Sequence, residues 1–265
     1  MNGSGSADCP FRAIAASQSG EYHRRIKAIL NTQPQDKRFT VPLYTVAEAA
    51  RFLGVAPSTF GTWAKGYTRR PAGRTAVSAD AIVTAVAGAP GHAVVPFVGL
   101  AEGMVVAAFR EAGVSMQHIR KAVAILEQEI GVEHALASQR LYTDGANVLF
   151  DYAERRGHAE LAGLTQVVSQ QRVFPEVMQE YLRRIDYAAD GWATRLASPA
   201  TSGRLVVVDP ERSFGQPIFV HGAVRVEDVL DRWKAGETIA AVAADFGVPA
   251  DDVEDYLRVA LPLAA

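Results

Sequence analysis

Two neighbouring segments around residues 45–67 place apolar residues at the spacing of an α-helix. The apolar stripe of the first segment consists of Val46, Ala49, Ala50 and Leu53. The stripe of the second consists of Phe60, Trp63, Ala64 and Tyr67. Thr45 and Glu48 have the spacing of a capping box at the start of the first helix, and Gly54 ends that helix. The two segments therefore predict a helix-turn-helix, a motif whose second helix usually enters the major groove of DNA.

Charge along this stretch agrees with a DNA-binding surface. No acidic residue occurs between Ala49 and Ala79, whereas five cationic residues do: Arg51, Lys65, Arg69, Arg70 and Arg74. A local excess of positive charge is typical of a surface that binds phosphates. We assign DNA contacts to seven residues of the second helix and the basic loop that follows it: Ser58, Thr59, Thr62, Lys65, Arg69, Arg70 and Arg74. The same geometry also occurs as plain packing in helical domains, and that alternative stays open at this point.

A second helix–glycine–helix pattern near the end of the sequence carries the opposite charge. Its two apolar stripes consist of Ile239, Val242, Ala243 and Phe246, and of Val253, Tyr256, Leu257 and Leu261. Its second helix begins with carboxylates, which suit a helix N-terminus but would repel a phosphate backbone. Between Val226 and Tyr256, nine acidic residues stand against Arg232 and Lys234. We interpret this second unit as facing protein rather than DNA.

Composition and motifs narrow the class of protein. A chain of 265 residues with 49% hydrophobic and 21% charged residues is typical of globular proteins. The single cysteine, Cys9, fits a reducing cytoplasm, and no apolar run or signal-like start indicates a membrane or export. The six histidines show no metal-binding spacing, and neither a Walker A motif nor a nucleophile elbow occurs. We therefore predict no catalytic residue, no metal site, no cofactor and no enzyme activity.

The chain is predicted to be mainly α with small β elements, in four regions. Residues 1–40 form a flexible leader with one possible helix at 21–30, and residues 41–140 form a winged helix-turn-helix domain. In that domain the wing lies near residues 67–77, and a strand at Val94–Val98 closes it. Residues 141–200 form an α/β middle region, in which a loop ends at Tyr142–Gly145 and Asp144 caps the next helix. A boundary at Ser198–Gly203 separates residues 204–265, a short β-hairpin followed by a three-helix bundle.

This layout resembles a known family. Leu43–Thr59 resembles the opening helix-turn-helix of MerR-like winged regulators, and Phe109–Arg120 is similar to their second helical pair. The block from Val208-Asp209-Pro210 to Phe246-Gly247-Val248 resembles a short bacterial domain found in antitoxins, although the usual Gly-Thr-Arg-Ile of that domain reads His221-Gly-Ala-Val-Arg225 here. With His134–Ala137 and Tyr142–Gly145 between the two ends, the combination resembles a VapB-type antitoxin of the mycobacterial sort.

The resemblance implies a type II toxin–antitoxin module. Its antitoxin would bind and block a PIN-domain ribonuclease toxin and repress the shared operon by binding duplex DNA, and symmetric operators favour a homodimer. Because such a toxin holds Mg²⁺ with carboxylates, we predict toxin contacts at the arginines Arg204, Arg212 and Arg225. The alternative is a MerR-like transcription regulator that senses a small ligand. Its pocket would lie among Tyr152, Phe174, Tyr181, Tyr187 and Trp192, residues that a plain core would also need.

Overall fold

The computed structural model describes residues 36–70, 76–89, 91–157, 164–168 and 171–260. Its α-helices are α1 (Lys37–Thr40), α2 (Val46–Leu53), α3 (Pro57–Lys65), α4 (Phe97–Glu111), α5 (Met116–Ile130), α6 (Gln139–Arg156), α7 (Glu176–Leu182), α8 (Val226–Lys234), α9 (Ile239–Phe246) and α10 (Ala250–Ala260). Its strands are β1 (Pro42–Tyr44), β2 (Tyr67–Arg69), β3 (Val77–Ala79), β4 (Val95–Pro96), β5 (Gln166–Val168), β6 (Gln171–Val173), β7 (Ile185–Tyr187), β8 (Ala193–Ala197), β9 (Val206–Val208) and β10 (Ile218–Phe219). Short 3₁₀ helices cover Ala135–Ala137 and Ser213–Gly215.

The fold is mainly α-helical with small antiparallel sheets, as the sequence predicts. Across the described ranges, no helix is both long and apolar enough to cross a membrane. The predicted leader helix at 21–30 lies outside the described residues.

Helix α4 lies at the centre of the core, because nearly its whole circumference is apolar. Every residue from Phe97 to Phe109 is buried, as expected of a helix that is hydrophobic on all sides. Gly103 lets the helix-turn-helix approach closely, since a Cβ there would lie 2.7 Å from Phe60 Cε2 and 3.0 Å from Leu53 Cδ1. The core thus holds α2 and α3 directly against α4.

The predicted strand at Val94–Val98 is wrong in its extent and in its partner. Only Val95–Pro96 is extended, and it pairs with β1, whereas β2 pairs with β3. Pro96 is the N-cap residue of α4, so the apolar run is divided between a short strand and a buried helix. A short apolar run does not reveal by its periodicity which of the two it forms.

The predicted cap of α6 is also wrong. The helix begins at Gln139, where the Ser138 hydroxyl accepts a hydrogen bond from Arg140 N at 3.2 Å, so Asp144 lies inside the helix. Gly145 is therefore not a turn residue. A Cβ at this position would lie 3.2 Å from Phe174 Cζ, so the glycine permits close packing of that ring.

One four-stranded sheet has the order β10-β9-β8-β7, with antiparallel pairs throughout. Its central pair matches Leu196 with Val208 and Ala197 with Val207. The residues between β8 and β9 contain the predicted boundary at Ser198–Gly203, so the sheet is continuous across that boundary. The buried Ser198 hydroxyl donates to Phe52 O at 2.7 Å, which ties this connection to α2.

The C-terminal elements follow the sequence prediction, except that Leu261 of the predicted stripe lies outside the described residues. Two short strands precede three helices, and Thr238 caps α9 by accepting a hydrogen bond from Ala241 N at 3.2 Å. Gly247 ends α9 in the left-handed conformation, with φ of 65°. The middle region is α/β as predicted: β5 pairs antiparallel with β6, and α7 follows them.

Candidate nucleic-acid interface

The helix-turn-helix forms as the sequence predicts. Thr45 N donates to Glu48 Oε2 at 2.8 Å and Glu48 N donates to Thr45 Oγ1 at 3.1 Å, which completes the capping box. Gly54 ends α2 with φ of 71°, a conformation that glycine adopts without strain. The apolar stripe of α3 faces the core, where Phe60 is 0% and Trp63 2% exposed. Tyr67 was wrongly assigned to this stripe, because α3 ends at Lys65 and Tyr67 begins β2 with 37% of its surface exposed.

The opposite face of α3 is open to solvent at both ends of the helix. Ser58, Thr59 and Lys65 are exposed, as predicted for DNA-reading positions, and the first turn holds no acidic side chain. Thr62 differs from them, because it is half-buried and its hydroxyl donates to Thr59 O at 2.7 Å. The Thr62 oxygen can therefore accept a hydrogen bond, while its proton is already engaged.

A β-hairpin follows α3 directly. Strand β2 pairs antiparallel with β3, with Tyr67 opposite Ala79 and Arg69 opposite Val77. Gly66 permits this turn, because its φ is 67° and a Cβ there would lie 2.4 Å from Ala79 O. Arg69 is the last residue of β2 and Arg70 follows it as an exposed residue, whereas Arg74 lies outside the described residues.

A buried polar cluster anchors the chain where it leaves the hairpin. The Glu102 carboxylate accepts hydrogen bonds from Thr84 N at 2.6 Å and from His134 Nδ1 at 2.8 Å. The Thr84 hydroxyl lies 3.0 Å from the same Nδ1, and the Arg120 guanidinium donates to the carbonyl of Asp80. The cluster therefore fixes the hairpin exit to α4, to α5 and to the loop that follows α5.

The electrostatics of this cluster favour a protonated His134. Its hydrogen bond to Glu102 raises the pKa of His134 above the ordinary value of 6.5, although burial acts in the opposite direction. Burial and the nearby Glu102 raise the pKa of the Glu127 carboxyl. Sequence reasoning missed this cluster. The signal that could have revealed it is Glu102 itself, the only charged residue in the apolar run Phe97–Phe109.

The three arginines predicted to contact a toxin have different surroundings. Arg204 Nη2 lies 2.6 Å from Asp186 Oδ2, and Arg225 Nε donates to Asp228 Oδ2 at 2.9 Å. Arg212 is exposed, and its guanidinium has no partner among the described residues. Of the three, Arg212 alone presents a guanidinium without a carboxylate beside it.

The aromatic residues of the middle region contribute to the core. Phe174 is buried and packs edge-on against Phe109, with ring centroids 6.1 Å apart. The remaining members, Tyr152, Tyr181, Tyr187 and Trp192, are partly buried against the same core. These residues thus belong to the hydrophobic core. The sequence alone had allowed either a core or a ligand pocket for them.

A small cleft separates the helix-turn-helix from the C-terminal helices. It has a volume of about 140 Å³, and Arg51 of α2, Leu230 of α8 and Tyr256 of α10 line it. The acidic side chains of α10 are partly paired nearby: Asp252 with His221 at 2.7 Å, and Glu254 with Arg258 at 3.0 Å. Residues of the C-terminal helices therefore lie next to α2.

Two family models and a related protein match this chain. A family model described as "Putative DNA-binding HTH domain" matches residues 42–123, and one described as "Protein of unknown function (DUF433)" matches residues 206–260. The protein named "Putative antitoxin VapB45" from Mycobacterium tuberculosis is 47% identical over 231 residues, which cover 85% of this chain and 96% of that protein. The chain belongs to the VapB45 family. This confirms the resemblance to VapB-type antitoxins.

A solved structure agrees with membership of the VapB45 family. The crystal structure of Rv2018 from Mycobacterium tuberculosis is similar to this chain, with a TM-score of 0.72 at 44% sequence identity. The similarity covers 83% of this chain and 99% of that chain. At this identity, the VapB45-family chain shares with Rv2018 its fold over nearly the whole of the solved protein.

Proposed function

We propose that this chain is the antitoxin of a type II toxin–antitoxin module, which represses its own operon and neutralises a PIN-domain ribonuclease. The observation that carries the DNA-binding half is the exposed end of α3, which holds Ser58 and Thr59 and no carboxylate in its first turn. The positive end of a helix dipole and its open amide groups attract phosphate, so a carboxylate-free first turn suits approach to DNA.

In this proposal each element of the N-terminal part has a defined task. Helix α3 lies in the major groove, where Ser58, Thr59 and Thr62 meet base edges. The β2–β3 hairpin acts as the wing of a MerR-like domain. The cations Lys65, Arg69, Arg70 and Arg74 contact phosphates, which set affinity rather than sequence preference.

The regions divide the function between them. Residues 41–140 bind DNA, residues 204–265 bind the toxin, and the α/β region 141–200 joins the two. The family relation to VapB45 and the surplus of acidic residues in the C-terminal helices support a protein partner at that end. We further propose a cytoplasmic homodimer, because a two-fold symmetric operator requires two reading helices.

Salt dependence of DNA binding tests the DNA-binding half. Each phosphate contact contributes roughly 0.9 to the slope of log affinity against log salt on B-DNA, so replacing Arg69, Arg70 and Arg74 by alanine should flatten the slope by about 2–3 units. The matched control replaces Arg204, Arg212 and Arg225 by alanine, which removes the same charge from the other end of the chain. An unchanged slope in the first variant, measured by filter binding to operator DNA, contradicts the wing.

Sequence preference tests the reading helix separately. Exchanging Ser58 and Thr59 for alanine should change which operator sequences are selected and leave the salt slope as in the wild type, because base contacts release no condensed counterions. A selection from randomised duplexes followed by a salt titration measures both quantities. Identical selected sequences for wild type and variant would place the reading surface elsewhere.

A further inference from the structure

Backbone strain in the described residues is concentrated around one surface groove. Among those residues, four other than glycine have a positive φ, and three of the four line this groove: Ser213 (48°), Phe214 (53°) and Ala223 (52°). Residues other than glycine rarely adopt such angles, and they cluster at sites of binding or catalysis. The groove has a volume of about 570 Å³ and lies between the loop before β10 and the turn after it.

The ring of Phe214 stands at the edge of this groove without filling it. Phe214 is 89% exposed, more than any other large apolar residue among those described. Ala223, Val224 and Phe246 give the groove an apolar lining. A single exposed apolar residue is ordinary on a protein surface. Here, however, a projecting aromatic ring and an open apolar groove lie side by side on one patch of the surface.

The charged residues around the groove are paired within the chain. Arg225 Nε donates to Asp228 Oδ2 at 2.9 Å, and Arg232 Nη2 lies 2.8 Å from Asp245 Oδ2. The Arg232 guanidinium also lies 5.3 Å from the centre of the Phe246 ring. Asp228 and Asp245 therefore present no unpaired carboxylate to a partner, so two copies of this groove can approach each other without strong repulsion between like charges.

Two charges of opposite sign remain unpaired beside the ring. Glu211 and Arg212 precede Phe214 by three and two residues, and both are exposed. The Glu211 amide donates to Asp209 Oδ1 at 2.9 Å, but neither the Glu211 carboxylate nor the Arg212 guanidinium has a partner within the part of the chain that the structure describes. Adjacent residues of opposite charge can pair across a two-fold axis, because each contact in such an interface occurs twice.

We propose that this patch joins two copies of the chain, with the Phe214 ring of each copy in the apolar groove of the other. The proposal deepens the homodimer proposed above and rests on it. A two-fold interface uses the same patch on both copies, so the patch must carry both halves of every contact. This patch carries a ring and a groove, and an unpaired carboxylate and an unpaired guanidinium. An aromatic anchor in an apolar pocket is typical of the centre of a stable interface.

Sedimentation of the full-length chain over a range of concentrations tests the ring and the groove. Phe214→Gly removes the ring and relaxes the positive φ, so the fold should be retained. Truncation of an interface anchor typically weakens binding by at least about 30-fold, and we expect that rise in the dissociation constant of the dimer. Ala223→Asn places an amide in the groove at a φ that asparagine tolerates, and should weaken the dimer by at least about fivefold. The control is Tyr142→Ala, which removes an aromatic side chain that is 48% exposed on α6 and should dimerise like the wild type.

Charge reversal tests the two-fold arrangement itself. Glu211→Arg and Arg212→Glu each place like charges at both contacts, so each variant alone should dimerise about threefold more weakly than the wild type. Mixed in equal amounts, the two variants restore opposite charges at both contacts and should form a mixed dimer about as stable as that of the wild type. A mixed dimer no more stable than the dimer of either variant alone would overturn the two-fold arrangement.

The remaining outcomes separate this inference from the proposed function. If the wild-type chain stays monomeric, the homodimer and this inference fall together, whereas binding of operator DNA and of the ribonuclease is measured independently. If the wild type dimerises and Phe214→Gly dimerises equally well, the inference alone is overturned. If Phe214→Gly stays dimeric but no longer inhibits the PIN-domain ribonuclease, the ring binds the toxin instead of a second copy, which also overturns the inference.

Discussion

Among single substitutions in the DNA-binding half, replacement of the buried Glu102 should lower the stability most. Its side chain is 5% exposed, and it holds both Thr84 N and His134 Nδ1. Glu102→Ala leaves the Thr84 amide and the His134 imidazole without their partner inside the protein. Because these bonds fix the exit of the β2–β3 hairpin, the variant should lose both stability and the fixed position of the hairpin.

The expected loss of unfolding free energy follows from the burial of Glu102 and His134. Removing one partner of a fully buried ion pair typically costs about 3–5 kcal/mol of unfolding free energy. Because the His134 side chain is 30% exposed, we expect a smaller loss of about 2–4 kcal/mol for Glu102→Ala. For a chain of this size each kcal/mol lowers the melting temperature by about 2–4 °C, so the variant should melt about 4–16 °C lower. Glu102→Gln retains an acceptor for Thr84 N and should cost about 1–3 kcal/mol, the penalty for one imperfect buried hydrogen bond.

The same cluster predicts a dependence of stability on pH. Because Glu102 raises the pKa of His134 in the folded state, the stabilisation is complete below the ordinary value of 6.5 and is lost as pH rises through the folded value. Glu127 and Glu133, which also face His134, act in the same direction. The hydrogen bond from Arg38 lowers the pKa of Asp190 below its ordinary value of 3.8. The stabilisation that this bond provides is complete at every pH well above 3.8, so it does not change the unfolding free energy between pH 6 and pH 8.

Thermal unfolding at pH 6 and pH 8 measures this contribution. The wild type should melt at a higher temperature at pH 6 than at pH 8, and His134→Gln should reduce that difference. His92→Gln is the control, since the His92 side chain is exposed and its imidazole has no partner in the described ranges. The reasoning is refuted if Glu102→Ala melts within 2 °C of the wild type, a bound of about 1 kcal/mol, or if His134→Gln keeps the full difference between the two pH values.

Two further predictions concern the helix-turn-helix and use chemical denaturation as the measurement. Thr45→Ala removes the capping box and should lower the unfolding free energy by about 0.5–2 kcal/mol, whereas Thr59→Ala, on the exposed face, should change it by less than about 0.5 kcal/mol. Gly103→Ala should destabilise by about 1–3 kcal/mol, because its Cβ would lie 2.7 Å from the fully buried ring of Phe60. Gly61→Ala, whose Cβ would meet only Val46 Cγ1 at 3.6 Å, should instead stabilise by roughly 0.5–1 kcal/mol; equal effects at the two glycines would contradict the close approach of α3 to α4.

Features set by neighbouring residues were predictable from the sequence. The capping box of Thr45, the glycine that ends α2 and the apolar stripe of α3 each depend on a few consecutive side chains. Each is confirmed, apart from Tyr67, which lies beyond the end of α3. The exposed positions Ser58 and Thr59 follow from the same periodicity. For this reason the amino-acid sequence alone predicts the helix-turn-helix and the three C-terminal helices.

Features set by distant residues were not predictable. Gly145 has the appearance of a turn residue, and only the ring of Phe174 explains why it lies within a helix. The pairing of Glu102 with His134 joins residues 32 apart in the chain, and no pattern of neighbouring residues indicates it. The close approach of Gly215 to Tyr44 also joins residues far apart in the sequence.

The pairing of β8 with β9 has a consequence for how this protein would be destroyed. A protease that removed residues 206–260 would uncover the side of β8 that carries Leu196, now 0% exposed, and would take away the helices that lie beside α2. The helix-turn-helix would lose support in the same event. Under the function proposed above, proteolysis that frees the toxin would then also release the promoter, so that one cut near the boundary would end both proposed activities.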